Sequence, residues 1–151
     1  MIRICFVCLG NICRSPMAEY VMKDKVNKLG LNDKFHIESR ATSYEEEGSD
    51  MHHGTKEMLR LNNISFGKHS ARRVEYSDID NFDLFVCMDS SNVSNLKRII
   101  GDSSSIIKLL DRDVADPWYT GNFKVTYNDI IEGIDKLLDK INSECYDVNP
   151  N

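Results

Sequence analysis

A strand-length apolar run followed almost at once by a helix start constrains this chain more than any other feature. Residues 2–7 are nearly all apolar, which is typical of a strand covered on both faces in a parallel sheet. Ser15 can supply an N-cap oxygen, and Pro16 suits the first helical position because its missing N–H costs nothing there. Residues 17–29 carry apolar side chains at helical spacing, and Gly30 is a stop signal. The opening of the chain therefore predicts a strand, a short loop and a helix.

The rest of the chain repeats this alternation. Strand-like runs cover residues 35–42, 84–88 and 106–110, and helical patterns cover residues 55–61, 90–100 and 127–141. Ser90 or Ser91 is expected to cap the helix over residues 90–100, and Gly101 to end it. Alternating strands and helices form βαβ units with right-handed crossovers. The sequence thus predicts an α/β fold, a three-layer sandwich with a four-stranded parallel sheet and helices on both faces. One domain is expected over residues 1–151, with a loose tail over residues 146–151.

Composition argues against several classes of partner. The net charge of −5 is wrong for a nucleic-acid binder, which needs a surplus of Lys and Arg. The apolar run at the N-terminus is far shorter than the roughly 18 residues of a membrane span, and no cleavage-site pattern follows it. Five irregularly spaced cysteines favour reduced thiols in the cytoplasm. No Cys/His cluster has zinc spacing, and His52 and His53 have no companion ligands, so we expect neither a metal nor another cofactor.

The loop between the first strand and the first helix is predicted to bind an anion. A loop at the carboxyl end of a parallel strand leads into a helix N-terminus, where free N–H groups and the helix dipole favour negative charge. Gly10 permits a turn, Asn11 tolerates the left-handed conformation, and Arg14 offers a planar fork that matches two phosphate oxygens. In the same field, the thiol of Cys8 is expected to ionise and act as a nucleophile. The predicted phosphate-binding residues are Leu9, Gly10, Asn11, Ile12, Cys13, Arg14 and Ser15.

Five segments together resemble the motifs of a known family. They are Val7-Cys8-Leu9-Gly10-Asn11-Ile12-Cys13-Arg14-Ser15-Pro16, Ala41-Thr42-Ser43, His69-Ser70-Ala71-Arg72, Cys87-Met88-Asp89 and Asp116-Pro117-Trp118-Tyr119. This set is similar to the low-molecular-weight protein tyrosine phosphatases, and the similarity runs through nearly the whole chain. The resemblance implies hydrolysis of phosphotyrosine in proteins, or of small aryl phosphates, with no metal.

The resemblance also implies the catalytic roles. Cys8 would attack phosphorus and form a phosphocysteine while Arg14 and the loop amides hold the equatorial oxygens. Ser15 would donate a hydrogen bond to the Cys8 sulfur and so help it to remain a thiolate. Asp116 would protonate the departing phenolate and then accept a proton from the hydrolytic water.

Three more residues receive supporting or regulatory roles. In the family that the chain resembles, Ser43 and His69 brace the asparagine that corresponds to Asn11. Cys13 follows Cys8 by five residues in a curled loop, so the two sulfurs are expected to approach bridging distance. The resemblance implies a reversible redox switch in which Cys13 captures oxidised Cys8 as a disulfide. The alternative is that Cys13 only packs under the loop.

Aromatic and acidic side chains are predicted to form the walls of the substrate site. Trp118 and Tyr119 are expected to flank an aromatic substrate rather than to fill the core. The family commonly places an aromatic residue two positions after the serine that Ser43 matches, and this chain has Glu45 there with Tyr44 one step earlier. The departure puts the preference for phosphotyrosine in more doubt than the phosphatase chemistry.

Two other functions use a similar cysteine loop. An arsenate reductase on the same fold passes oxidising equivalents to two further cysteines, but Cys87 lies in a predicted strand and Cys145 near the tail. A cysteine phosphocarrier of a sugar transport system keeps its phosphocysteine for a partner and has little use for Arg14 or a general acid. We therefore favour the phosphatase, as a monomer or with weak self-association.

Overall fold

A computed structural model describes residues 1–143 of the chain. The strands are β1 Ile2–Cys8, β2 Phe35–Ala41, β3 Leu84–Cys87 and β4 Ile106–Lys108. The helices are α1 Arg14–Lys28, α2 His53–Leu61, α3 Ser90–Ile100, α4 Pro117–Thr120 and α5 Phe123–Ser143, with 3-10 turns at Asn32–Lys34 and Tyr76–Asp80. The predicted tail over residues 146–151 and Cys145 lie outside the described residues.

The predicted single-domain α/β fold with a parallel sheet is confirmed. The four strands pair in the order β2-β1-β3-β4, and every pair is parallel. β1 lies between β2 and β3, so Cys8 pairs with Ala41 on one side and Val7 pairs with Cys87 on the other. The carboxyl ends of the strands therefore meet at one edge of the sheet, where the connecting loops gather.

Helices cover both faces of the sheet, as the continuous apolar strands predict. Ile4 and Phe6 of β1 belong to the core formed with α1, α2 and α5. Cys5 and Val7 point to the opposite face and pack with Leu96 of α3. This alternation of side chains along β1 leaves neither face of the strand open to water. Within residues 1–143, no helix combines the length and the apolar character needed to span a membrane.

Two predicted helix caps are wrong. Cys13 occupies the N-cap position of α1 without a side-chain cap bond, while Ser15 lies inside the helix and directs its hydroxyl to the loop before it. The helix α3 is capped by Asp89, not by Ser90 or Ser91; the Asp89 carboxylate accepts from the Asn92 N–H. A carboxylate and a hydroxyl satisfy the same free N–H groups, so residue type alone does not decide between neighbouring candidates.

The last helix begins earlier than the sequence pattern indicates, and a short helix precedes it. Helix α5 starts at Phe123, four residues before the first residue of the predicted 127–141 helix. The short helix α4 was not predicted; Asp116 accepts from the Trp118 N–H at its start, and Gly121 in the left-handed conformation ends it. These two helices place residues 116–122 over the carboxyl edge of the sheet.

Candidate active site

The loop over residues 9–13, called the phosphate loop below, forms the floor of a cavity at this edge. Asn11 has φ of 59°, the left-handed conformation that its sequence position predicts. The cavity encloses about 240 Å³. It is lined by Cys8, Leu9, Gly10, Asn11, Ile12, Cys13, Arg14, Glu45, Glu46, Asp116, Trp118 and Tyr119. Residues from three separate stretches of the chain, 8–14, 45–46 and 116–119, thus surround one concave site.

The sulfur of Cys8 has two hydrogen-bond donors directed at it. The backbone N–H of Asn11 donates to Cys8 Sγ at 3.3 Å, and Ser15 Oγ lies 3.0 Å from the same sulfur. Ser15 Oγ already accepts from Asn11 Nδ2 at 2.8 Å, so its own proton is available for the sulfur. Both donors therefore point at the atom on which a nucleophilic Cys8 would carry its charge.

The guanidinium of Arg14 is buried and oriented by three oxygen acceptors. Arg14 Nη1 donates to the Val114 carbonyl oxygen at 3.0 Å. Arg14 Nη2 lies 2.9 Å from Asp89 Oδ2 and 3.4 Å from Asp116 Oδ2. Asp89 was missed as a site residue by the sequence reasoning, although its place directly after the third apolar run was a usable signal. The arrangement fixes the cation at the cavity and brings the predicted acid, Asp116, next to it.

The side chain and backbone of Asn11 are held by neighbours in β2 and in residues 69–72. Asn11 Nδ2 donates to Ser39 Oγ at 2.9 Å, and Asn11 Oδ1 accepts from the Arg72 N–H at 3.1 Å. The carbonyl oxygen of Asn11 lies 2.7 Å from His69 Nε2. Ser39 in turn donates to Glu19 Oε1 at 2.6 Å. These contacts hold a left-handed residue in a fixed conformation at the base of the cavity.

Ser43 does not contact the Asn11 side chain, so that prediction needs correction. Its hydroxyl donates to the Leu9 carbonyl oxygen at 3.0 Å, and its backbone N–H donates to the same oxygen at 3.1 Å. The serine beside Asn11 is Ser39, which lies within β2. Ser43 lies beyond the end of that strand, where its side chain reaches the rim of the phosphate loop instead.

The predicted substrate walls are only partly assembled at the cavity. Glu45, Trp118 and Tyr119 line it, and Trp118 and Tyr119 are 67% and 83% exposed. Tyr44 does not line it, because its ring packs on the Arg73 guanidinium, with 4.6 Å between Arg73 Cζ and the ring centroid. Glu46, which was not predicted as a wall, takes part instead. The lining of the cavity therefore includes both aromatic and acidic side chains.

The other thiols near the site differ from Cys8 in their surroundings. Cys13 is a buried free thiol whose pKa is raised to about 12, chiefly by desolvation and next by the neighbouring Cys8. Burial likewise raises the pKa of Cys87 to about 12.

The rings of His52 and His53 stack with 4.3 Å between centroids. Across residues 1–143, no group of three or more side chains is arranged to hold a metal ion.

Comparisons with known proteins point to one family. The family model described as low molecular weight phosphotyrosine protein phosphatase matches residues 3–147. The chain is 42% identical over 153 residues to the low molecular weight protein-tyrosine-phosphatase YfkJ of Bacillus subtilis, covering 95% of this chain and 98% of that one. It is 38% identical to the protein-tyrosine-phosphatase PtpA of Staphylococcus aureus, covering 93% and 94% of the two chains.

Solved structures agree with this assignment. The crystal structure of YfkJ superposes with a TM-score of 0.92 at 41% identity, covering 97% of this chain and 98% of that one. A low molecular weight protein tyrosine phosphatase from Streptococcus pyogenes gives a TM-score of 0.88 at 41% identity, covering 93% of both chains.

Proposed function

The chain belongs to the low molecular weight phosphotyrosine protein phosphatase family, and we propose that it hydrolyses phosphotyrosine through a covalent phosphocysteine at Cys8. Members of this family are cysteine-dependent hydrolases, so the class of reaction follows from membership. The observation that carries the mechanism is the placement of Cys8 Sγ under two hydrogen-bond donors in the cavity that also holds Arg14 and Asp116.

In the first step, the Cys8 thiolate attacks phosphorus and the bond between phosphorus and the phenolic oxygen breaks. Arg14 and the N–H groups of the phosphate loop bind the three equatorial oxygens as charge spreads over them. Asp116 transfers its proton to the leaving phenolate, which departs as a neutral phenol. The exposure of the Asp116 side chain, 27%, is consistent with an acid that meets both substrate and water.

In the second step, a water molecule attacks the phosphocysteine and Asp116, now a carboxylate, accepts the proton. The bond between sulfur and phosphorus breaks, its electron pair stays on sulfur, and inorganic phosphate leaves. Cys8 departs as a thiolate that again accepts hydrogen bonds from Ser15 and the Asn11 N–H. The step needs neither a reductant nor a second thiol, which separates it from arsenate reduction.

The substrate class follows from the walls of the cavity. Trp118 and Tyr119 offer two exposed rings to an aromatic leaving group, and Glu45 and Glu46 line the same cavity. We propose phosphotyrosine in a protein, or a small aryl phosphate, as the substrate. The four described cysteines, Cys5, Cys8, Cys13 and Cys87, are free thiols, which supports the proposal of a reducing, cytoplasmic setting.

Two variants test the mechanism. Cys8→Ser should still bind vanadate but lose turnover by several orders of magnitude, because a hydroxyl stays protonated at neutral pH. Asp116→Asn should slow phenyl phosphate by about 10²–10⁴-fold and a dinitrophenyl phosphate far less, because an activated phenolate leaves without a proton.

Asp113→Asn is the matched control for Asp116→Asn. Asp113 is three residues away in sequence and binds Lys108 and Ser90 outside the cavity, so its variant should retain wild-type kinetics. Equal losses for Asp116→Asn on both substrates would assign the leaving-group proton to another residue, and turnover by Cys8→Ser would refute the phosphocysteine.

A further inference from the structure

The phosphate loop and the segment over residues 116–122, called the acid loop below, belong to different parts of the chain. Catalysis as proposed requires Asp116 to stand at a fixed distance from Cys8, yet the loops are joined to the sheet through separate strands. The first turn of α2, together with the residue before it, contacts the phosphate loop and also the first residue of α5. This segment, residues 52–55, does not take part in the proposed chemistry itself.

On one side, residues 52–55 hold the backbone of the phosphate loop. The His52 N–H donates to the Ile12 carbonyl oxygen at 2.9 Å. Thr55 Oγ1 donates to the Cys13 carbonyl oxygen at 3.2 Å, and Thr55 is fully buried. Two consecutive carbonyl groups of the phosphate loop are thus bound to one turn.

On the other side, the same turn receives the end of the acid loop. Phe123 follows the acid loop directly, and its ring stacks on the His52 ring with 5.1 Å between centroids and 21° between planes. A Cβ atom on Gly54 would lie only 2.4 Å from the Phe123 ring, so the ring occupies space that only glycine leaves free. The edge of Trp118 also meets the His52 ring, with centroids 6.5 Å apart.

The orientation of the His52 ring is itself fixed. His52 Nδ1 accepts from the Gly54 N–H at 3.0 Å, which caps α2. Partial burial, and then the neighbouring His53, lower the pKa of His52, which keeps Nδ1 available as an acceptor. The ring is therefore a rigid surface for Phe123.

The opposite end of the acid loop is held by residues further along α5. Thr126 Oγ1 donates to the Ala115 carbonyl oxygen at 2.7 Å, and Asp129 Oδ2 accepts from the Ala115 N–H at 3.0 Å. The residue before Asp116 is therefore fixed by hydrogen bonds. Packing of Phe123 supplies the second attachment, on the far side of Gly121.

We propose that His52, Gly54 and Phe123 are positioning residues that set the distance between the acid loop and the phosphate loop. The inference rests on the proposed role of Asp116 as general acid. Displacing the Phe123 ring moves the acid loop relative to Cys8, while Cys8, Arg14 and the phosphate loop keep their places. The cost should therefore fall on proton transfer to the leaving group and not on binding of the phosphoryl group.

The test uses Gly54→Ala, Phe123→Ala and the double variant. Gly54→Ala should reduce kcat for phenyl phosphate by about 10-fold or more and kcat for a dinitrophenyl phosphate by less than about 2-fold, since only the poor leaving group needs the acid in place. Vanadate affinity should stay at the wild-type value because the two bonds that hold the phosphate loop come from His52 and Thr55, not from Gly54. In the Phe123→Ala background, Gly54→Ala should add no further loss, because the added methyl group then meets no ring.

Gly67→Ala is the matched control, because a Cβ there would meet its nearest atom, Tyr20 Oη, at an ordinary 4.0 Å. It should leave the ratio of the two kcat values unchanged. Thermal unfolding of every variant identifies any that fail to fold, and Phe123→Leu, which keeps apolar volume, then takes the place of Phe123→Ala.

Two results would overturn the inference: a Gly54→Ala variant with an unchanged ratio, or a double variant whose losses multiply. These outcomes differ from failure of the proposed function, which Asp116→Asn reports in the same assay. If Asp116→Asn shows the leaving-group dependence and Gly54→Ala does not, Asp116 is the general acid, and the proposed positioning role of Gly54 and Phe123 is wrong.

Discussion

Replacing Asn11 by alanine and by glycine separates what its side chain and its backbone contribute to stability. The Asn11 side chain makes three hydrogen bonds, to Ser15 Oγ, to Ser39 Oγ and from the Arg72 N–H, and its φ is 59°. Both variants lose the three bonds, each worth about 0.5–1.5 kcal/mol net, so the free energy of unfolding should fall by about 1.5–4.5 kcal/mol. In Asn11→Ala, the left-handed conformation costs about 1–2 kcal/mol more, the value for a residue with a Cβ atom. In Asn11→Gly, the greater entropy of the unfolded chain costs only about 0.4–1 kcal/mol. Asn11→Ala should therefore be the less stable variant.

Asn63 provides the matched control for this pair. It is the other non-glycine residue with positive φ among residues 1–143, at 57°, and it is exposed at the end of α2. Asn63→Ala should lose only the left-handed cost, and Asn63→Gly should be close to neutral. Urea unfolding of all four variants then gives the hydrogen-bond contribution as the difference between the two sites.

The kinetics of the Asn11 variants give a second, independent reading. The backbone N–H of Asn11 points at Cys8 Sγ. If the phosphate loop loses its fixed conformation in the Asn11 variants, attack of Cys8 on phosphorus is weakened whatever the leaving group. Turnover of phenyl phosphate and of a dinitrophenyl phosphate should fall by a similar factor, unlike the effect expected of Gly54→Ala. If Asn11→Ala is no less stable than Asn63→Ala, the bonds to Ser15 and Ser39 do not hold the loop.

Two further predictions concern oxidation and specificity. Peroxide should inactivate the wild type reversibly, with a Cys8–Cys13 disulfide detectable by mass spectrometry. Recovery with dithiothreitol should be poorer in Cys13→Ser. Because desolvation and Cys8 raise the pKa of Cys13 to about 12, the disulfide should form faster as pH rises. Equal recovery of both proteins without a bridge would leave Cys13 as a packing residue. Glu45→Gln should raise kcat/KM by about 2–5-fold more for a phosphopeptide with acidic neighbours than for one with lysines, since an exposed charge pair contributes up to about 1 kcal/mol. An equal response of the two peptides would remove Glu45 from substrate selection.

The periodic parts of the chain were predictable because local pattern and tertiary burial agree there. The apolar run of residues 2–7 became β1, buried on both faces, and Gly30 and Gly101 end their helices with φ of 72° and 89°. The position of the anion loop follows from the same order of elements. These features depend on spacing along the chain, which the sequence displays directly.

Contacts between segments were harder to predict because several residues of one type compete for them. Ser39 and Ser43 are four residues apart on and beyond β2, and only the first reaches the Asn11 side chain. The difference depends on where β2 ends, and strand ends are the least certain part of a sequence prediction. Tyr44 was misplaced for a similar reason, since the Arg73 guanidinium that holds its ring comes from a distant segment.

The role of Asp89 was missed for a more specific reason. Like Asp116, Asp89 uses the two oxygens of its carboxylate for two different partners. Asp89 Oδ1 accepts from the Asn92 N–H and caps α3, while its Oδ2 pairs with Arg14. Asp116 Oδ1 accepts from the Trp118 N–H and caps α4, while its Oδ2 faces the same guanidinium. A carboxylate has two oxygens and serves a helix end and a cation together, whereas a serine cap has only one. Prediction by residue type gives each side chain one role, so it chose Ser90 or Ser91 for the cap and overlooked Asp89, which joins the start of α3 to Arg14.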